Sequence, residues 1–297
     1  MEDIVIIGAG PAGLTAAIYV QRAGKHAVVF EKEVPGGQIV KTLCVQNYPC
    51  VPSVSGADLA QKLYEQAISL GAEVRFEKVV GLKITKNKRY VQTENGRVEA
   101  KAIIIATGAN SRKLGLENET DLIGKGVSYC ATCDGMFFKN KVVAVVGGGN
   151  TALGDAMYLS NYCKKVYLLV RKEITGEQTT SKELAQKKNV EIVLGSSVTK
   201  LVGNDRLEKI VVLQNGKEKT LAVQGLFVAI GQVPSNEEFR DVVTTDKYGY
   251  IQADENCKTN APGVFVAGDN RTKNIRQLTT ACGDGTIAAL AAIEYIK

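Results

Sequence analysis

Long apolar runs are missing from this chain of 297 residues; none approaches the roughly 18–20 residues that a membrane span needs. The opening Met1-Glu2-Asp3 is acidic where a secretory signal would be basic, so the expectation is a cytoplasmic protein with no membrane partner. Proline is scarce, 6 residues against 30 glycines, while apolar residues reach 45% and charged residues 23%. That balance excludes a disordered chain, a collagen-like fibre and a coiled coil, and indicates a packed globule rich in tight turns. Cysteine is sparse as well. Seven in the whole chain, an odd number, do not make a disulfide scaffold, and in a reducing compartment a close pair means catalysis or metal. Histidine is reduced to His26. Charge of one sign is not dominant either: 37 Lys and Arg against 31 Asp and Glu leave +6. The lysines are scattered and no aromatic platform accompanies them, which argues against nucleic acid and leaves an acidic partner open.

What is present is a regular alternation. Apolar runs at 4–7, 27–30, 102–106, 142–146, 166–170 and 226–230 read as buried parallel strands, and Gly8, Gly108, Gly147 and Gly231 follow closely. Helical patterns lie between, at 11–23, 56–70, 151–161 and 286–296. Strands alternating with helices predict an α/β fold with a mostly parallel sheet covered on both faces. Segments 84–98 and 207–221 instead alternate apolar and polar residues around Asn95-Gly96 and Asn215-Gly216, so each is expected to be a small antiparallel appendage. The chain also repeats itself. Ile4-Val5-Ile6-Ile7-Gly8-Ala9-Gly10-Pro11-Ala12-Gly13 is echoed by Val142-Val143-Ala144-Val145-Val146-Gly147-Gly148-Gly149-Asn150-Thr151-Ala152. Two nucleotide-binding units imply two domains.

The two units are unequal. In the first, a strand, the Gly8, Gly10, Gly13 turn with Pro11 and Ala12, and a helix form a full dinucleotide-binding context. Glu31, 23 residues after Gly8, ends the second strand, where a carboxylate can accept ribose hydroxyls. The second unit keeps Gly147, Gly149 and Ala152, but the equivalent position is Val170, which offers a free ribose nothing. Arg171 and Lys172 follow and could pair with the 2′-phosphate of NADP. The alternative is a fold retained after its ligand was lost, with both cations merely solvated.

Between the units lies Cys130-Ala131-Thr132-Cys133-Asp134. Zinc needs four ligands, and neither a second Cys pair nor a second histidine exists, so no metal is expected. A redox dithiol remains: one thiolate attacks an external disulfide and the other resolves the mixed disulfide. Asp134 is placed to move protons or to cap a turn or helix, two roles that can coexist. Cys163 and Cys257 read as ordinary thiols, and Cys44, Cys50 and Cys282 as small packing residues.

These segments together resemble the low-molecular-weight thioredoxin reductase family of flavoproteins. The likeness covers nearly the whole chain. Its marks are 8–13 with Glu31, Pro35-Gly36-Gly37-Gln38, Asn47-Tyr48-Pro49, Ala106-Thr107-Gly108, 130–134, 147–152, Val266-Ala267-Gly268-Asp269 and Arg276-Gln277-Leu278. The resemblance implies two Rossmann-like domains of three-layer ββα architecture: an FAD domain from 1–112 and 243–297, and an inserted pyridine-nucleotide-like domain, 113–242, carrying the dithiol. It implies FAD held by Gly10, Gly13, Glu31, Gln38, Asn47, Asp269 and Gln277, with Gly8, Pro11, Ala12, Gly37, Ala106, Thr107, Gly108, Gly268, Arg276 and Leu278 completing the motifs. It also implies that Cys133 faces the flavin, Cys130 attacks a thioredoxin disulfide and Asp134 is the acid-base group, in a homodimer whose domains rotate.

One departure concerns the electron donor. NADPH-dependent members carry His-Arg-Arg-x-x-x-Arg where this chain reads Val170-Arg171-Lys172-Glu173-Ile174-Thr175-Gly176, and paired glutamates where it reads Gly154-Asp155. Each lost charged hydrogen bond costs about 1.5–3 kcal/mol. A branch of the family takes electrons from ferredoxin, a strongly acidic protein, and the positive balance suits such a donor. The expectation is thus a thioredoxin reductase fed by ferredoxin. The alternatives are NADPH held weakly by Arg171 and Lys172, or a flavoprotein redox sensor or binding module without turnover.

Overall fold

The computed structural model describes residues 1–42 and 44–297 and divides into two compact units, 1–110 with 233–297, and 111–232. In the first unit the parallel strands run Glu73–Phe76, Ala27–Glu31, Glu2–Ile7, Gly96–Ile105, with Val264–Val266 also paired to Gly96–Ile105. Alternate residues of the first strand serve opposite faces, as the strand period requires. Ile4 and Ile6 pack with Leu14 and Ala288 of the helices Pro11–Arg22 and Leu278–Tyr295, whereas Val5 and Ile7 meet Leu82, Val91 and Phe239 on the other side. Each such fully buried side chain contributes about 1.5–3 kcal/mol. The two helices approach closely because residue 285 is glycine: a Cβ there would lie 2.2 Å from the Ala12 carbonyl oxygen.

The second unit repeats this plan. Its parallel sheet runs Val190–Leu194, Lys165–Val170, Val142–Val146, Gly225–Val228, Val127–Ser128, and a separate antiparallel sheet holds Ser196–Val202, Lys209–Gln214 and Lys217–Ala222. Val143 and Val145 face helix Asn150–Ser160, while Ala144 and Val146 face Ile210 and Val212 of the antiparallel sheet. Both units are Rossmann-like and three-layered, helix, parallel sheet, antiparallel sheet. No helix among the described residues is long and apolar enough to cross a membrane.

Four expectations need correction. Residues 233–242 belong to the first unit, not to the insert: Phe239 sits in its core beside Val243, and buried Asn236 donates to the carbonyls of Gly249 at 2.9 Å and Asn270 at 2.7 Å. The first unit accordingly runs to 110 and resumes at 233. The last helix starts at Leu278 rather than 286, held by a capping box between Gln277 and Thr280; Gly283 and Gly285 had broken its apolar period. The hairpin near Asn95-Gly96 turns on Glu94-Asn95, since Thr93 pairs with Gly96, and its second strand continues into the parallel sheet instead of forming an appendage. The Asn215-Gly216 turn is centred as expected, both residues having positive φ. The two chain crossings, Ala109–Ser111 and Gln232–Pro234, pair with each other as a two-stranded ribbon.

Candidate functional site

The first strand of unit one ends in a turn that only small residues permit. Gly8 has φ +106°, and a Cβ on it would meet the Ala106 carbonyl oxygen at 2.5 Å; one on Gly13 would strike the Gly8 carbonyl oxygen at 1.9 Å. Gly10 differs, for a Cβ there would find no atom within 4 Å. The turn is therefore locked from behind and open in front, where the helix beginning at Pro11 directs unpaired N–H groups. Glu31 buttresses the turn, its carboxylate accepting from Ala9 N at 2.8 Å and Glu33 N at 2.9 Å. Each oxygen retains a lone pair for a ribose hydroxyl.

The chain ends supply the rest of this border. Gly37 lies 3.3 Å from the Gly10 Cα by its Cβ position, and Gly268 lies 3.0 Å from the Ala12 Cβ by the same measure. Asn47 reaches the Gln277 side chain, which precedes Leu278, at 3.5 Å. Gln38 donates to Asn110 at 2.6 Å. Thr107, between Ala106 and Gly108, accepts from Asn270 at 3.0 Å. Arg276 donates to the Asp269 carbonyl at 3.2 Å and stacks 4.1 Å from the Tyr250 ring centre. Asp269 carries the most informative atom: its Oδ1 is sealed from solvent with no hydrogen-bond partner among the described residues. Burial pushes this carboxyl up, with nearby Lys273 opposing. An open glycine cradle and an orphaned acceptor beside it fit a group bearing phosphates and hydroxyls, as FAD does.

In unit two, Cys130 and Cys133 form a disulfide at the start of the short helix Ala131–Asp134. Cys130 is the N-cap, its Sγ accepting from Cys133 N at 3.2 Å. Asp134 stands at the N-cap position of the short helix Gly135–Phe138 but its side chain makes no capping bond there. Its Oδ2 accepts from Ser128 Oγ at 2.6 Å, and Ser128 in turn accepts the Cys130 N–H at 3.1 Å. Burial pushes the Asp134 carboxyl up, and the Ser128 bond opposes this only in part. A carboxylic acid that keeps its proton more readily than usual stands beside the disulfide. Ser128 had no signal in the sequence, because a serine six residues before an aspartate is unremarkable until the strand Val127–Ser128 brings them together. Beyond the helix, Met136 and Phe137 are 53% and 42% exposed. The other cysteines are free, and burial pushes the thiols of Cys163 and Cys257 up to about 11 and about 12, so both are inert. No group of side chains among the described residues is placed to hold a metal ion.

The second glycine turn is built like the first: a Cβ on Gly147 would lie 2.3 Å from the Ala229 carbonyl oxygen, and Ala152 packs against it. Its surroundings differ. Buried Val170 ends the adjacent strand, and the loop after it folds back on the turn, Thr175 N and Gly176 N donating to the Gly148 carbonyl at 2.8 and 3.0 Å and Glu177 N to Asn150 Oδ1 at 2.7 Å. A Cβ on Gly176 would lie 2.6 Å from Leu153 Cδ1 and 2.9 Å from Asn150 N. With this backbone no arginine can stand there. Arg171 and Lys172 are exposed.

Residues 2–285 match the model of the pyridine nucleotide-disulphide oxidoreductase family. The chain is 41% identical to the thioredoxin reductase of Listeria monocytogenes, over 99% of this chain and 94% of that one. The chain belongs to the low-molecular-weight thioredoxin reductase family. This family member is also 46% identical to the "34.2 kDa protein in rubredoxin operon" of Clostridium pasteurianum, across 99% and 97% of the two chains. The crystal structure of thioredoxin reductase from Streptococcus pyogenes superposes with a TM-score of 0.95 at 36% identity, covering 100% and 98%. The protein is accordingly an oxidoreductase and a flavoprotein of two Rossmann-like domains.

Proposed function

We propose that the protein is a thioredoxin-disulfide reductase in which FAD feeds the Cys130–Cys133 disulfide. The observation that carries this is the disulfide itself, with buried Asp134 beside it. Bound FAD supplies two electrons; two protons complete the conversion of the disulfide to two thiols. Cys133 is the sulfur on the flavin side. Cys130, as thiolate, attacks the thioredoxin disulfide; one thioredoxin sulfur leaves and takes a proton. Cys133 then attacks the Cys130 sulfur, the mixed disulfide breaks, and reduced thioredoxin departs. Asp134 holds the proton exchanged in these steps, and Cys133 N–H stabilises charge on the Cys130 sulfur. The enzyme acts in the cytoplasm as a homodimer.

The electron donor is ferredoxin, an acidic one-electron carrier. Support comes from the NADP site: it lacks the ribose-binding carboxylate, retains one arginine of the family's three, and has its loop fastened against Gly148 and Asn150 where the last arginine would stand. NADPH is the second reading, favoured by the preserved Gly147 turn, whose Gly149 has only Thr175 Oγ1 within 4 Å of a built Cβ. Anaerobic titration decides between them. Reduced ferredoxin bleaches the flavin absorbance and supports thioredoxin reduction, whereas micromolar NADPH leaves the flavin oxidised; bleaching by NADPH alone reverses the assignment.

A further inference from the structure

Behind Asp269 lies a buried set of charges that the dithiol chemistry does not use. Arg271 grips Asp284 with two nitrogens, both at 2.9 Å, and Gly268 N donates to the same carboxylate at 3.1 Å. Lys273, whose side chain is 9% exposed, donates to Asp284 Oδ2 at 3.0 Å and to Thr280 Oγ1 at 3.3 Å. Its ammonium also stands 3.4 Å from Asp269 Oδ1, yet that oxygen remains without a hydrogen bond. Lys273 thus compensates the charge of Asp269 from beside the sealed Oδ1, while the rest of that side chain, 32% exposed, stays open to a ligand.

Charge counting shows why this matters. Arg271 and Lys273 supply two positive charges, Asp269 and Asp284 two negative ones. The buried set is neutral only while both carboxyls are ionised. Unpaired buried charge is costly, and a buried carboxyl that loses its counter-charge takes up a proton. Arg276 is the remaining cation near Asp269 and its charge also favours the ionised carboxyl, but its guanidinium bonds the Asp269 and Arg271 carbonyls and stacks on the Tyr250 ring rather than pairing with the carboxylate, which leaves Lys273 as the ion-pair partner of Asp269. The Cys257 thiol donates to the Asp284 main-chain carbonyl at 3.7 Å, and burial pushes it up.

We propose that Lys273 is a positioning residue for the flavin cofactor, holding Asp269 ionised so that its carboxylate accepts a cofactor hydroxyl. The proposal rests on the FAD reading above. Once Asp269 is protonated, its charge-assisted bond to a hydroxyl is lost. Removing Lys273 raises the Asp269 carboxyl further, so FAD binding weakens as pH falls and recovers as pH rises.

The test is the FAD dissociation constant of the reconstituted apoprotein between pH 5.5 and 8.5, with the apoprotein's thermal midpoint as control. Wild type is expected to be flat across this range. Lys273→Met should bind FAD about tenfold more weakly at pH 6, with the difference closing toward pH 8.5, since each unit of carboxyl shift is worth a factor of ten. Lys273→Arg restores the wild-type profile. Asp269→Asn binds weakly at every pH, and adding Lys273→Met to it weakens binding no further. A Lys273→Met profile parallel to wild type overturns the inference, as does an additive double variant. Wild-type protein that takes up no FAD sinks the FAD reading itself.

Discussion

Asp134 and Asp155 show how differently burial acts on two carboxyls of one unit. Asp134 has Ser128 to stabilise its charge; Asp155, on helix Asn150–Ser160, has burial alone and is pushed up to about 7. The unfolded chain ionises this group near 3.8, so between about 4 and 7 rising pH progressively favours the unfolded state, and above 7 the loss is complete. Asp155→Asn is therefore expected to raise stability by about 2 kcal/mol at pH 8, after discounting for solvent screening, and by nothing near pH 3.5. Urea unfolding at the two pH values checks this. At the dithiol, Cys130→Ser and Cys133→Ser should each abolish thioredoxin reduction while FAD stays bound, because neither sulfur belongs to the glycine cradle. Flavin loss from either variant would contradict their roles. The Cys pair and Asp134 were legible in the sequence because their spacing is local. Ser128, Lys273 and Asp284 were not, since their contacts arise only when separate turns fold together.

At the level of elements, close backbone approaches decide which glycines can change. Gly285→Ala drives a methyl group into the Ala12 carbonyl between two helices and should cost about 1–3 kcal/mol or more, with loss of FAD because the cradle's helix must shift. Gly10→Ala, in open space in the protein alone, should leave the apoprotein's thermal midpoint unchanged while weakening FAD binding. Differential scanning fluorimetry with and without FAD separates the two cases. The parallel strands were legible because each is an unbroken apolar run closed by glycine. The start of Leu278–Tyr295 was hidden by its own glycines, and the hairpin at Glu94-Asn95 slipped by one residue because Gly96 serves the strand rather than the turn.

For the whole molecule, the repeated strand, glycine turn and helix gave the division into two units from sequence alone. The return point did not emerge, because 233–242 holds only the end of the short strand Gln232–Pro234 and no motif, and is claimed by packing, through Phe239 and Asn236. Donor choice belongs to this scale too, since it depends on what the second unit can bind. Its nucleotide turn keeps the shape of the first but faces Val170 and a fastened loop instead of a carboxylate and open space.

The paired ribbon of Ala109–Ser111 and Gln232–Pro234 has a topological meaning. Neighbouring strands lie about 4.8 Å apart, so the chain leaves and re-enters the first unit through almost the same point. The insert is bounded at both ends by one paired ribbon. A short turn joining the two ribbon strands would close the gap, leaving the outer polypeptide with both its sheet and its helices complete.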